Sequence, residues 1–295
     1  SHPNNPDLYA QLRRLAEKSK NWEVYAATIE DTADLISDDT DRAAALLDLG
    51  LVYMNAMREP EAALDAFGRV IALDEGNRAA LDAMESLHRV AGAHEALVDV
   101  LQRQLAIAVD GDHRKTILFS LAHTWRDDIG DTGEAEQVFL GMLDDFPGDT
   151  SIHDALVNIF RPAQRYSELG EILALKRDVL VAEEASPEVL ADVECQLGML
   201  AYGVLDESQR VSAALSHYER ALSLSPDHAE SIRQLETLLA DEDERLHIAT
   251  ALAAIYERRS EWDKLADALE IQALSAEDAG DHATSAALIE RLALL

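Results

Sequence analysis

A spacing of 72 residues repeats through the first half of the chain and constrains the fold more than any other feature. Leu49, Tyr53, Ala63 and Phe67 recur as Leu121, Trp125, Ala135 and Phe139. Arg42 recurs as Arg114, and Trp22, His94 and Tyr166 keep the same step. Self-similarity at a fixed period marks stacked supersecondary units, none of which buries its apolar face alone. Such an array grows along one axis, so 295 residues need not mean two globular domains. Residues 1–295 are therefore expected to form a single array.

The units read as helical hairpins. Aromatic residues are 5% of a chain that is 48% hydrophobic, a mixture of small and aliphatic side chains that suits close helix packing. Gly and Pro are sparse and fall at the ends of periodic segments, where helices stop. Start and stop signals divide the sequence into about sixteen helices, with Thr40, Asn77, Asp112, Ser186 and Asp227 as candidate N-caps. Connections of a few residues make consecutive helices antiparallel neighbours. No stretch alternates long enough to read as a strand.

One of the two hairpin types in each 72-residue unit resembles the tetratricopeptide repeat (TPR). That family's 34-residue pattern places Leu-Gly on the first helix, then Ala, an aromatic and a small residue on the second, with Pro closing. The chain supplies Leu197-Gly198, Ala214, Tyr218, Ala221 and Pro226. An earlier copy has Leu121-Ala122, Trp125, Ala135, Phe139 and Pro147, and the first has Leu49-Gly50, Tyr53, Ala63 and Phe67, with Glu75 in place of Pro. The stretch between the two halves of the motif is longer than the family's by one residue in the first two copies and by four in the third; a longer turn accounts for this. The resemblance implies an all-α fold, a right-handed α-solenoid of about eight antiparallel helix hairpins.

The other hairpin type has its own signature. Around an anchor residue, apolar side chains stand at −10, −7, +3 and +7: Leu12, Leu15, Trp22, Tyr25, Ile29; Met84, Leu87, His94, Leu97, Leu101; Leu156, Ile159, Tyr166, Leu169, Leu173; Leu252, Ile255, Trp262, Leu265, Leu269. The anchor reads as a packing residue that closes each hairpin. From Tyr166 to Trp262 the step is 96, so 24 residues are extra, and most of them form one added helix near 229–240. A change of curvature or a packing irregularity is expected at 227–243.

Charge narrows the partners. With 57 acidic against 25 basic residues, the formal net charge is −32. That field repels phosphate backbones and anionic membrane faces and steers basic or amphipathic proteins or peptides inward. The acidity also keeps an extended molecule soluble. The lone Cys195 rules out an intrachain disulfide and fits a reducing compartment, the cytoplasm. No segment has the 18 apolar residues of a membrane span. Ser1-His2-Pro3 lacks an initiator Met and reads as a processed or engineered end, so the lack of a leader is uninformative. The apolar stretch from Ala287 to Leu295 has no polar cap, which suggests a piece of a longer array and end-to-end self-association.

No catalytic constellation is present: no His-Glu-x-x-His, no glycine-rich phosphate loop, no Gly-x-Ser-x-Gly. Asp110-Gly111-Asp112 reads as a helix cap, since the ligand series of a calcium loop does not follow. Cys195 reads as a packed thiol. No cofactor or metal is expected. The TPR resemblance instead implies a concave groove lined by first helices. Carried across, the groove positions are Leu51, Met54, Asn55, Glu85, Arg89, Phe119, His123, Arg126, Asp127, Phe160, Arg161, Met199 and Tyr202, with Leu47, Leu81, His88, His153, Val157 and Cys195 beside them. The clamp by which some members hold acidic chaperone tails is absent: Leu51, Glu85, His123, Val157 and Met199 stand in its places. The texture also resembles large TPR proteins of environmental bacteria. These features predict a non-catalytic interaction scaffold that holds a peptide or domain in its groove. The alternative is a structural spacer or assembly element of a larger protein.

Overall fold

The computed structural model describes residues 6–295, and Ser1-His2-Pro3 lies outside them. The described residues are all-α. The first helices are α1 (Pro6–Ser19), α2 (Trp22–Ala33), α3 (Asp39–Val52), α4 (Pro60–Leu73), α5 (Arg78–Ala91) and α6 (His94–Ile107). Then come α7 (Gly111–His123), α8 (Thr132–Asp145), α9 (Thr150–Phe160), α10 (Tyr166–Ala182) and α11 (Pro187–Val204). The last are α12 (Glu207–Leu224), α13 (Ala229–Leu238), α14 (Arg245–Arg259), α15 (Trp262–Asp278) and α16 (His282–Leu292). The sixteen helices match the number read from the sequence. They fall into two compact units, one ending at Met142 and one beginning at Leu143.

Helix starts follow from local chemistry. Asn21, Asp38, Asn77, Asp110, Asp131, Asp149 and Asp281 each accept a hydrogen bond from a first-turn backbone N–H. Pro60 and Pro187 open α4 and α11, where a missing N–H costs nothing. Part of the acidity is therefore spent on helix ends, where carboxylates meet the positive pole. Three expected caps move. Asp38 rather than Thr40 caps α3, Asp110 rather than Asp112 caps α7, and the His228 ring, not Asp227, accepts from Ser231 N–H.

The recurring residues are the core. In the first unit Ala63, Phe67, Ala135 and Phe139 are fully buried, as is Leu49. In the second, Ala214 and Ala221 are fully buried and Tyr218 nearly so. The Leu-Gly of the motif has a steric cause. A Cβ on Gly50 would stand 2.4 Å from Cε1 of Phe67, and one on Gly198 would stand 2.6 Å from Cε1 of Tyr218. The glycine lets the aromatic ring of the second helix lie against the backbone of the first.

The extra residues are not in the turns. In the first two TPR-like hairpins the added residue is taken up inside the first helix. Tyr53–Met57 and Thr124–Ile129 are single π-helical turns that continue α3 and α7. Their wider ladder is closed by Arg58 N–H donating to the Tyr53 carbonyl and Gly130 N–H donating to the Trp125 carbonyl. In the third hairpin both helices lengthen to 18 residues and only Leu205-Asp206 joins them. α13 lies in the stretch where an extra helix is expected and packs on α11, α12 and α14.

The anchors mark corners rather than closed cores. Trp22, His94, Tyr166 and Trp262 are the first residues of α2, α6, α10 and α15, and Tyr166 and Trp262 remain 40% and 49% exposed. Their +3 and +7 partners are buried in all four copies, whereas Leu15 is exposed. Two residues before each anchor the backbone turns left-handed, at Lys20, Gly92, Gln164 and Ser260. Only one of the four is glycine, the residue that adopts this conformation without a Cβ penalty. Ser260→Gly is accordingly expected to stabilise the chain by about 0.5–1 kcal/mol. Urea unfolding should show a higher midpoint at an unchanged slope; a lower midpoint would refute the strain.

Candidate functional site

In the first unit, α7 and its π-turn carry four of the expected groove residues on consecutive turns. Residues 116, 119/120, 123 and 127 follow helical spacing and share one face. Together with Arg89 and Asp128 they line an open cleft of about 450 Å3, which also takes in Ser120 and Thr124. Arg89 reaches it from the end of α5, held by Glu85 at 2.9 Å.

The floor of the cleft is aromatic. Phe119 is half-buried and meets the fully buried Phe139 edge-on, with ring centroids 5.9 Å apart. His123 stacks on Phe119 at 6.2 Å with 22° between planes, and also meets Phe139 edge-on at 6.1 Å. Phe139 is the repeat's own packing residue, so the core fixes the platform.

The polar groups are ordered around His123. Arg126 forms a fork on Asp127, Nε to Oδ1 at 2.7 Å and Nη2 to Oδ2 at 2.8 Å. Arg126 Nη2 also donates to His123 Nδ1 at 2.9 Å. The same Nδ1 lies 3.3 Å from Asp127 Oδ2, so the imidazole edge sits between the guanidinium and the carboxylate. The Arg126 guanidinium, with lesser help from His123, holds the Asp127 carboxyl below the usual carboxylate range against a smaller effect of burial. At the rim, His94 Nδ1 lies 3.6 Å from Asp128 Oδ2.

The other expected residues are placed less uniformly. Leu51 and Met54 are half-buried against the core of the first unit, Leu81 is inside it, and Asn55 is exposed on the π-turn. Glu85 is half-buried and accepts from Gln104 as well as Arg89. Burial pushes the His88 imidazole down. In the second unit Phe160 is 2% exposed, a core residue capped by the Arg165 guanidinium at 4.5 Å rather than a surface one. His153, Val157 and Cys195 are likewise buried, and burial raises the Cys195 thiol. Arg161 donates to Gln196 at 2.8 Å. Met199 and Tyr202 are 43% and 41% exposed, with the Arg210 guanidinium 5.2 Å from the Tyr202 ring. Sequence reasoning missed Thr116, Ser120, Thr124 and Asp128, although all four lie within four residues of a named position on the same helical segment.

Among the described residues, no cluster of three or more His, Cys, Asp or Glu side chains could hold a metal, and no helix is long and apolar enough to cross a membrane. No family model and no curated protein sequence matches the chain. Among solved structures, the Naa15/Naa10 complex bound to HypK-THB aligns at TM-score 0.53 and 16% identity, over 97% of this chain and 41% of that one. YrrB, a TPR protein with an unusual peptide-binding site, aligns at 0.38 and 16% identity, over 66% of this chain and 92% of that one. A tetratricopeptide repeat protein from Parabacteroides merdae aligns at 0.37 and 12% identity, over 96% and 98% of the two chains. Likeness at these identities concerns the fold alone. The described residues of each unit fold as successive α-helical hairpins.

Proposed function

We propose that the chain is a non-catalytic interaction scaffold that holds a partner peptide in the cleft formed by α7, its π-turn and the end of α5. The observation that supports this most directly is the composition of that cleft. It offers an aromatic platform for an apolar side chain, the free His123 ring nitrogen and the Thr116 and Ser120 hydroxyls for peptide polar groups, and Asp127 and Asp128 for a basic residue. An amphipathic peptide carrying Lys or Arg meets all three demands, and the net charge of −32 steers it inward.

The test is capture of a randomised peptide library on the immobilised chain, followed by titration of the selected peptide against variants. His123→Glu leaves the buried Phe139 in place and should weaken binding by about tenfold or more, since it removes the ring that stacks on Phe119. Phe119→Glu should do at least as much, with circular dichroism as the check on helicity. Selected peptides that bind both variants as well as the unaltered chain would remove the cleft from consideration.

A second reading is self-assembly. On α15 and α16, Leu274 and Ile289 stay 62% and 54% exposed beside a cleft of about 310 Å3. Light scattering decides it: a mass independent of concentration would leave this face without a second copy.

A further inference from the structure

The open cleft between α15 and α16 has a filled counterpart in the first unit. α15 repeats α2: with the anchors Trp22 and Trp262 matched, Ile29, Glu30 and Ala33 fall on Leu269, Glu270 and Ala273. α16 repeats α3: with the N-caps Asp38 and Asp281 matched, Ala43, Leu46 and Leu49-Gly50 fall on Ala286, Ile289 and Leu292-Ala293. The inner sides of the two helix pairs agree, since Ile29, Ala33, Leu269 and Ala273 are all buried. The outer sides differ. In the first unit that side carries α4. Phe67 of α4 lies on Gly50, and Arg69 reaches α2, with Nη1 2.9 Å from Glu30 Oε2 and Nη2 3.2 Å from Asp34 Oδ1. Ala43 and Leu46 are buried there. At the matching positions Ala286, Ile289 and Glu270 are exposed. Glu270, Ile289 and Leu292 border the cleft of about 310 Å3, with Leu274 in the place of Asp34. Ala293 in the place of Gly50 is no obstacle, because Ala122 holds that place in the second copy and is fully buried, as is Phe139.

The surface therefore fits a helix of the α4 class: an aromatic side chain toward α16, and Lys or Arg two positions later toward Glu270, as Arg69 follows Phe67. Charge points the same way. Glu270 and Glu277 both border the cleft, and the net charge of −32 disfavours an acidic helix. A second copy does not supply such a helix. The aromatics of α4, α8 and α12, which are Phe67, Phe139 and Tyr218, are buried in their own hairpins. α1 carries the signature that Leu12 and Leu15 share with Met84 and Leu87 of α5, so it belongs to the helix that comes after α4 in the repeat.

We propose that the α15–α16 cleft docks one amphipathic helix of a partner protein, with an aromatic residue against α16 and a basic residue two positions later against Glu270. The proposal is independent of peptide binding at the α7 cleft, which lies in the other unit and shares no residue with this one. The probe is a fluorescein-labelled peptide of residues 209–225, in which Tyr218 and Arg220 keep the step from Phe67 to Arg69. A lactam from Glu219 to Ser223→Lys locks its helix, because an isolated helix of this length is marginal in water. Fluorescence anisotropy against the full chain is expected to saturate at one peptide per chain. Ile289→Glu places a charge on the apolar floor and should weaken binding by about tenfold or more. Tyr218→Ala in the peptide should do the same. Glu270→Lys should weaken binding by about threefold, and Arg220→Glu in the peptide should restore it. Circular dichroism checks that each variant of the chain stays helical. Binding that is indifferent to Ile289→Glu, or matched by a scrambled peptide, would overturn the proposal. So would a dimer seen by light scattering that Ile289→Glu dissociates and the peptide does not, which would give the face to a second copy.

Discussion

Phe67→Ala is expected to cost about 3–5 kcal/mol, the usual range when a fully buried aromatic is emptied from a core that cannot collapse around the gap. Phe67 is fully buried between α3 and α4, with its ring on the backbone at Gly50. The same contact predicts the reciprocal effect. Gly50→Ala drives a methyl to 2.4 Å from Cε1 of Phe67, an overpacking worth about 1–3 kcal/mol. Because changes at either residue act on one contact, Gly50→Ala combined with Phe67→Leu should cost less than the sum of Gly50→Ala alone and Phe67→Leu alone. Urea unfolding of the four chains gives the coupling; strict additivity would mean that the ring and the glycine do not determine each other. In the second copy Ala122 stands in place of the glycine and is fully buried.

The next largest effect belongs to the second unit. Glu194 on α11 is 5% exposed, and His217 Nδ1 on α12 lies 2.7 Å from its Oε2, with Arg220 Nη1 at 3.8 Å. Burial pushes this carboxyl up, but the hydrogen bond and charge of His217, with Arg220 and Arg177, outweigh it and leave the carboxyl below its ordinary value. His217→Ala removes the main counterweight and leaves a nearly unpaired buried carboxylate. The expected loss at neutral pH is about 2–4 kcal/mol. Adding Glu194→Gln should recover a large part of it, which distinguishes a stranded charge from a lost packing contact. In the unaltered chain this carboxyl's contribution is present above about pH 4.3 and is lost as the pH falls through the lower folded value. In the His217→Ala chain the folded value rises above the ordinary one, so the sign reverses and acidification relieves the loss. Equal losses for His217→Ala with and without Glu194→Gln would defeat this account.

The architecture was legible because the repeat itself selects core positions. Ala63, Phe67, Ala135 and Phe139 recur since each fills the same contact, and a periodicity of contacts is what a sequence preserves. Spacing alone does not show which hydrogen-bond ladder absorbs an added residue. The π-turns after α3 and α7 and the lengthened α11 and α12 therefore read as longer turns. The cap of α13 misled for a related reason: Asp227 is the better cap by residue type, but His228 holds the geometry. At the candidate cleft, 119, 123, 126 and 127 could be named because they lie on one helix. Phe160 could not be told from them, since only packing within the second unit puts it inside. Gln104 went unremarked despite a visible signal. It continues the buried series Leu97, Val100 and Leu101 on α6, a position where a polar side chain has to find partners.

The π-turn at Thr124–Ile129 has a further effect on how such a surface changes. Each helical residue advances the chain by about 100° and 1.5 Å. Taking in one extra residue before the fixed corner at Gly130 rotates the segment bearing Arg126, Asp127 and Asp128 relative to the inner face of α7. The helix works as a swivel: a single insertion or deletion re-aims a whole set of side chains without altering one of them. Recognition can diverge between copies through length while the packed alphabet of Ala, Leu and Phe stays unchanged, so neighbouring hairpins of similar core sequence can face their surroundings with different chemistry.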